Sequence, residues 1–172
     1  MEINDGQLKS ELILDELKGR QRTREIVDVE QERVKMVIFR SGANRYAFYG
    51  KDIREIIPSC EISWVPGLPE YLPGLINVRG DIESVVNIRH FLGEGKIEQF
   101  SGLIAMAVKD DFRTGILIDS IDNVVDIPLE SISPPLATLD GASRELVVGN
   151  FEYDNSTISL LDIGKLSSKV SL

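Results

Sequence analysis

Arg45-Tyr-Ala-Phe-Tyr-Gly-Lys-Asp-Ile-Arg-Glu-Ile-Ile57 has a counterpart 68 positions later, Arg113-Thr-Gly-Ile-Leu-Ile-Asp-Ser-Ile-Asp-Asn-Val-Val125. Each copy has an apolar segment typical of a strand, a polar step, and then Ile-x-x-[Ile/Val]-[Ile/Val]. A second matching pair follows in the same order, 75 positions apart: Val85-Val-Asn-Ile-Arg-His-Phe91 and Leu160-Leu-Asp-Ile-Gly-Lys-Leu166. Two matches in one order indicate an internal duplication.

Short apolar segments joined by turn residues surround these copies. They predict four hairpins: Val34–Arg40 with Asn44–Tyr49, Leu75–Arg79 with Ile82–Asn87, Ser101–Lys109 with Phe112–Asp119, and Leu146–Tyr153 with Thr157–Leu161. Each repeat offers about five strands, too few apolar residues to form a stable domain alone. We therefore expect a mainly β fold of two small barrels packed side by side, with a groove between them where a partner can lie.

The first 33 residues differ in pattern from the rest of the chain. Asn4 is placed to cap a helix, and apolar residues at helical spacing predict an amphipathic helix over residues 5–19, followed by the charged tract Gln21–Arg33. We divide the chain into this extension (1–33), a β domain (34–168) and a short tail (169–172). The extension either packs on its own domain or frays, or it contacts a partner; the first reading is favoured.

The net charge of −9 over 172 residues argues against nucleic-acid or membrane-surface binding. The N-terminus does not resemble a signal peptide, no apolar run is long enough to span a membrane, and the single cysteine excludes an intramolecular disulfide. These features predict a cytoplasmic protein. Cys60 is expected to be a buried thiol.

Catalytic and metal-binding patterns are absent from the sequence. His90 is the only histidine and Cys60 the only cysteine, so neither a typical catalytic triad nor a typical zinc site is expected, and there is no phosphate-binding glycine motif. We predict no cofactor, no metal and no enzymatic activity. An enzyme acting on a small molecule in a barrel cleft is a remote alternative.

The segment from Trp64 to Gly80 contains the only tryptophan and three of the seven prolines. Trp, Tyr and Arg are enriched at binding hot spots, although Trp64, Leu68 and Tyr71 could simply cover the barrel core. Alternation places Leu75 and Asn77 on one strand face with Arg79. By composition alone, Arg79 is a surface arginine near Asp81.

This segment resembles the CheW family of chemotaxis coupling proteins. The resemblance rests on Pro69-Glu-Tyr-Leu-Pro-Gly-Leu-Ile-Asn-Val-Arg-Gly80, on Ile53-Arg-Glu-Ile56 upstream, and on Gly115-Ile-Leu-Ile-Asp119 and Ile127-Pro128 downstream. It covers about residues 34–168. It implies two intertwined SH3-like five-stranded barrels with short helices. It also implies an adaptor that couples the cytoplasmic tip of a chemoreceptor to the regulatory domain of the histidine kinase CheA, in arrays at the membrane.

The resemblance also implies a receptor-binding surface. Carried over by position, its residues are Glu55, Gly74, Asn77, Arg79 and Gly80. The planar, permanently charged guanidinium of Arg79 suits the oriented binding of a carboxylate or carbonyl pair.

The sequence departs from the family pattern after the Arg79-Gly80 turn. Ser84 stands where the family usually has proline, and Asn87 where it usually has aspartate, which removes a charge near Arg89. An alternative within the same family is therefore a domain that modulates or localises the kinase, or that recruits another array protein, instead of simple coupling.

Overall fold

A computed structural model describes residues 10–19, 31–96 and 99–170. The chain forms two units, Met1–Arg33 and Val34–Leu172. In the first unit residues 10–19 form helix α1, on which Leu12, Ile13, Leu14 and Leu17 are exposed. The predicted start of this helix, residues 5–9, and residues 21–30 of the charged tract lie outside the described residues.

Strands dominate the second unit. In chain order they are β1 (Arg33–Ser41), β2 (Asn44–Tyr49), β3 (Ile53–Pro58), β4 (Gly74–Val78), β5 (Asp81–Val86), β6 (Leu103–Lys109), β7 (Phe112–Ile118), β8 (Ser120–Pro128), β9 (Val147–Tyr153) and β10 (Ser156–Leu161). The short helices are α2 (Ile88–Leu92), α3 (Gly141–Arg144) and α4 (Ile163–Lys169). The four predicted hairpins are β1–β2, β4–β5, β6–β7 and β9–β10, all antiparallel.

The strands form two five-stranded sheets, which curl into half-barrels. Sheet 1 has the order β8-β1-β2-β10-β9 and sheet 2 the order β3-β6-β7-β5-β4. If five is added to each strand number in the order of sheet 1, with the count continuing from β10 to β1, the result is the order of sheet 2. The parallel pairs keep this register, because Val85 lies opposite Gly115 in sheet 2 and Leu160 opposite Ala47 in sheet 1. The predicted mainly β fold with two five-stranded sheets is confirmed, and the sheet order repeats as the duplication requires.

The two repeats exchange strands. Sheet 1 takes β1 and β2 from the first repeat and β8, β9 and β10 from the second, and sheet 2 takes the reciprocal set. The chain crosses between the sheets at a 3₁₀ turn, Gly50–Asp52, and again between β7 and β8. These crossings are the polar steps of the repeated motif. Each sheet is completed only by strands of both repeats, so the repeats fold together.

One hydrophobic cluster joins the sheets. It includes Phe39 and Phe48 from sheet 1, whose rings stack at 4.4 Å between centroids, and Ala105 and Ile116 from sheet 2. Helix α4 continues this core, because its residues Ile163 and Leu166 are also buried in it, as is Val170, which follows the helix. The crossings and the shared cluster explain why neither repeat has a complete core of its own.

Each repeat ends in a helix with a side-chain cap. Asn87 Oδ1 accepts a hydrogen bond from the Arg89 N–H at 3.2 Å, and Asp162 Oδ1 accepts one from the Lys165 N–H at 2.9 Å. Asp162 also pairs with the Lys109 ammonium at 3.1 Å. Burial raises the pKa of Asp162, but the Lys165 N–H and the Lys109 ammonium outweigh burial and hold the pKa below its usual value.

These caps give a matched pair of variants. We expect Asp162→Ala to lower the free energy of unfolding by about 1–2 kcal/mol near neutral pH. Because the folded-state pKa is lowered, this contribution is present above pH ~4 and is lost as the pH falls through the folded value. Denaturant unfolding at several pH values should therefore show the variant and the wild type converging in acid. Asn87→Ala, the uncharged counterpart, should cost about 1 kcal/mol without this pH dependence; equal pH dependence in both would contradict the account.

The expectation that Cys60 is a buried thiol is wrong. Cys60 is exposed, in the connection that follows Pro58. A small apolar side chain favours burial only where a strand or helix turns it toward the core, and this connection does neither.

Candidate functional site

The β4–β5 hairpin presents Arg79 at its tip. Val78 pairs with Asp81, so Arg79 and Gly80 form a two-residue loop, and both have positive φ, 53° and 93°. This is the geometry of a type I′ turn, whose twist matches that of the strands. Asn77 Oδ1 accepts a hydrogen bond from the Gly80 N–H at 2.8 Å. Asn77, Arg79 and Gly80 thus form one local unit, and the turn lies one residue earlier than the predicted strand ends, Arg79 and Ile82, place it.

Arg79 is an unusual residue for this turn position. Among the described residues, the other non-glycine positions with positive φ are Asp110, Asp154 and Asn155. Aspartate and asparagine tolerate this conformation because their short side chains bond locally to the backbone, whereas arginine has no such compensation. A strained residue that the turn does not require points to a use for its side chain.

The partner of Arg79 is Glu55. Arg79 Nη1 donates to Glu55 Oε1 at 2.9 Å, and Arg79 Nη2 donates to Glu55 Oε2 at 2.7 Å. This pairing lowers the pKa of Glu55 and raises that of Arg79, so both groups are charged. Asp81, the neighbour suggested by composition, lines the same groove, but no ion pair joins it to Arg79 in the described part of the chain.

The Glu55–Arg79 pair spans the seam of sheet 2, by which we mean the gap between the two edge strands of the curled sheet. Glu55 belongs to β3 and Arg79 follows β4, which are the two edge strands of that sheet. The equivalent seam of sheet 1 is bridged by Asn123 of β8, which donates to the Tyr153 hydroxyl of β9. Asn123 is the repeat counterpart of Glu55. In sheet 1 a neutral contact takes the place of the Glu55–Arg79 ion pair, and the charges lie on other residues: Arg45 pairs with Asp122 of β8 at 2.6 Å and with Asp154, the repeat counterpart of Arg79, at 4.0 Å.

A groove lies beside this ion pair. It is lined by Arg54, Glu55, Val78, Arg79, Asp81, Glu83, Met106, Ala107, Val108 and Arg113. Six of these side chains are charged, and the other four, Val78, Met106, Ala107 and Val108, are apolar and are called the apolar floor. Sequence reasoning found Glu55 and Arg79 but missed Arg54, Glu83 and Arg113, although Arg113 opens the second copy of the repeat. Arg113 could have been identified from its position on β7 beside Glu83 of β5. These two strands become neighbours only through the exchange of strands between the repeats.

Gly74 is not part of this groove. It begins β4, at the opposite end of the strand from Arg79, and is buried. A Cβ atom there would lie 2.2 Å from the Ser63 carbonyl oxygen, and its φ is +156°. Ser63 pairs with Leu75 and covers the outer edge of β4. The glycine is thus needed for the close approach of the covering segment.

The proline-rich segment divides between packing and exposure. Leu68 and Tyr71 are partly buried against the shared core, as the packing interpretation predicts. For Trp64 that interpretation is wrong, because its side chain is 74% exposed. His90 is exposed, and its ring contacts those of Tyr71 and Phe91.

The two departures from the family pattern have structural replacements. Asn87 caps α2, as an aspartate would, and Arg89 finds its carboxylate in Asp119, with Nη2 2.6 and 2.7 Å from the two oxygens. The Ser84 hydroxyl lies 3.0 Å from that of Thr114, which is fully buried. These contacts leave the local fold intact.

Across residues 10–19, 31–96 and 99–170 no helix combines the length and apolarity needed to cross a membrane. In the same ranges no three His, Cys, Asp or Glu side chains group as metal ligands do.

Comparison with known proteins agrees with this fold. A family model described as a CheW-like domain matches residues 35–171. The chain is 28% identical over 150 residues to the chemotaxis protein CheW of Treponema pallidum, covering 84% of this chain and 88% of that protein. It is 26% identical over 131 residues to protein FrzA of Myxococcus xanthus, covering 74% and 81%.

A solved structure shows the same architecture. The scaffolding protein TtCheW of Thermoanaerobacter tengcongensis superposes with a TM-score of 0.67 at 26% identity, covering 76% of this chain and 84% of that one. The fold and the sequence match together place this chain in a class of scaffold proteins. The chain belongs to the CheW-like family. As a member of that family it is a chemotaxis adaptor.

Proposed function

We propose that this chain couples the cytoplasmic tip of a chemoreceptor to the regulatory domain of the histidine kinase CheA, within arrays at the membrane, by binding and without chemistry of its own. Family membership supports this role, and the observation that carries it to particular residues is the Glu55–Arg79 pair. The pair stands at an exposed hairpin tip, in a backbone conformation that arginine tolerates poorly.

The receptor-binding surface that we propose comprises Glu55, Asn77, Arg79 and Gly80, with Gly74 contributing only through the packing of β4. The Arg79 side chain is 73% exposed and that of Glu55 is 24% exposed. Glu55 holds the guanidinium in one orientation, so less side-chain freedom is lost when a partner binds. The apolar floor beside the pair offers burial for an apolar side chain of the partner.

The binding role is tested by co-sedimentation of the purified chain with receptor signalling-tip fragments, with CheA, and with both together. We expect retention with each partner and a ternary complex. Retention with neither partner would contradict the proposal.

A second arm tests the alternative that the domain recruits another array protein through residues 1–33. Deletion of residues 1–33 should leave both binary interactions unchanged if the chain is a simple coupling adaptor. If the deletion removes one of them, that contact belongs to the N-terminal unit and not to the groove.

A further inference from the structure

Glu83 places a carboxylate where the second repeat has a core residue. It lies on β5 opposite Ile76 and is 8% exposed, while its counterpart on β10, Ile158, lies opposite Phe151 and is fully buried. The fold therefore accepts an apolar side chain at this position. Burying a carboxylate there costs desolvation, and a buried ion pair is often no more stabilising than an apolar pair. The charge of Glu83 therefore calls for a role other than stability.

The partner of Glu83 is Arg113 of β7, with Nη2 2.6 Å from Oε1. The Arg113 side chain is 45% exposed and that of Glu83 is 10% exposed, so the guanidinium faces the groove with the carboxylate beneath it. The repeat counterpart of Arg113 is Arg45, which pairs instead with Asp122 of β8 at 2.6 Å. The arrangement of Glu83 under Arg113 thus belongs to this groove and not to the repeat.

Arg54 faces the same groove from β3. It is exposed, and within the part of the chain that the structure describes it forms no ion pair, although its charge helps to lower the pKa of Glu55 after the Arg79 contact. Together with Arg79 and Arg113 it gives a rim of three arginines. The carboxylates of Glu55 and Glu83 lie mostly beneath that rim, and Asp81 is the exposed acid of the lining.

The spacing of the rim fits a helix. Arg54 lies on β3 and Arg113 on β7, separated by β6 alone. Two strand spacings amount to about 10 Å. An α-helix rises about 10.5 Å over seven residues, and positions i and i+7 face the same side. Between the arginines the floor includes Met106 and Val108, which suits an apolar side chain between two charges.

We propose that Arg54 and Arg113, the latter held over the groove by Glu83, select a partner helix that carries carboxylates about two turns apart on the face that enters the groove. This inference rests on the proposed function and deepens it: the Arg79–Glu55 pair anchors the partner, and the other two arginines discriminate among partners. Glu83 is a positioning residue, because it acts through Arg113.

The test uses the full chain and two designed helical hairpins with the same apolar face, one with Glu and one with Lys at i and i+7. We expect the wild type to bind the Glu hairpin about tenfold more tightly at low salt, with the preference shrinking as salt is added. Arg54→Glu should reverse or abolish the preference. The double variant Glu83→Ile with Arg113→Val should abolish it and remain folded, since both charges leave together.

Each outcome decides the inference. A wild-type preference below about twofold, or a preference that both variants retain, would overturn it. Binding of neither hairpin would overturn it as well. A receptor signalling-tip fragment in the same assay distinguishes failure of the proposed function from failure of this inference. One outcome is that the fragment binds the wild type and loses affinity with Arg79→Ala, but binds Arg54→Glu and the Glu83→Ile, Arg113→Val double variant as tightly as the wild type. In that case the proposed function stands while this inference fails.

Discussion

Arg79→Ala is expected to weaken binding of a receptor signalling-tip fragment about tenfold or more while the protein stays folded. The substitution removes the guanidinium from an exposed hairpin tip and frees Glu55, whose side chain can then be hydrated. Isothermal titration with the tip fragment measures the affinity, and thermal unfolding checks the fold. The kinase contact, measured with CheA alone, should not change.

Two further variants separate the role of the side chain from that of the turn. Arg79→Asn and Arg79→Gly place residues that favour the positive φ of this position, so the unfolding temperature should stay level or rise while receptor binding is lost. Asn123→Ala is the matched control, because it removes the equivalent seam contact of sheet 1. If Arg79→Asn binds the tip fragment as well as the wild type, Arg79 is merely a turn residue.

Gly74→Ala is expected to be the most destabilising substitution among the predicted site residues. The added Cβ would lie 2.2 Å from the Ser63 carbonyl oxygen, which is backbone and cannot move alone, so the segment that covers β4 must shift. We expect the free energy of unfolding to fall by about 3 kcal/mol. Receptor binding should fall only in proportion to the loss of folded protein. Denaturant unfolding measures the free energy of unfolding, and isothermal titration with the tip fragment measures the binding.

The control for this prediction is Gly141→Ala. At Gly141 an added Cβ meets no atom within 4 Å, so the change should stay within about 0.5 kcal/mol. Gly149, the repeat counterpart of Gly74, should lie between the two, because its Cβ would be 2.9 Å from the Ser133 carbonyl oxygen. A stable Gly74→Ala protein that has lost receptor binding would show instead that Gly74 contacts the receptor directly.

The duplication and the hairpins could be predicted because they are local patterns of apolar and turn residues. The exchange of strands could not be worked out from spacing, since nothing in the polar step Gly50-Lys51-Asp52 states which sheet the next strand joins. Only the resemblance implied intertwined barrels. The step proved to be the crossing itself, where β2 ends in sheet 1 and β3 begins in sheet 2.

The candidate site shows the same limit. Arg79 was identified by resemblance, but it lies in the turn after β4 and not on a strand face, and its partner Glu55 is 24 residues away on the opposite edge of the sheet. Contacts between the two edge strands of a sheet form because the sheet curves, and the local sequence does not encode that curvature. Glu83 and Arg113 were missed for a related reason. They meet only because β5 and β7 become parallel neighbours.

Exposure was the least predictable property in irregular segments. Trp64 and Cys60 both lie in the connection between β3 and β4, where no alternation fixes the direction of a side chain. Cys60 was expected to be buried, and covering the core was one of two interpretations of Trp64, but both residues are exposed. In the same connection Leu68 and Tyr71 pack on the core as expected.

The measurement that tests the coupling role most directly is CheA autophosphorylation in membranes that contain the receptor, with and without this chain. We expect that adding the chain raises kinase activity only when the receptor is present, and that the Arg79→Ala protein fails to do so at the same concentration. Kinase activity that the wild-type chain leaves unchanged, although both partners are bound, would contradict the coupling role.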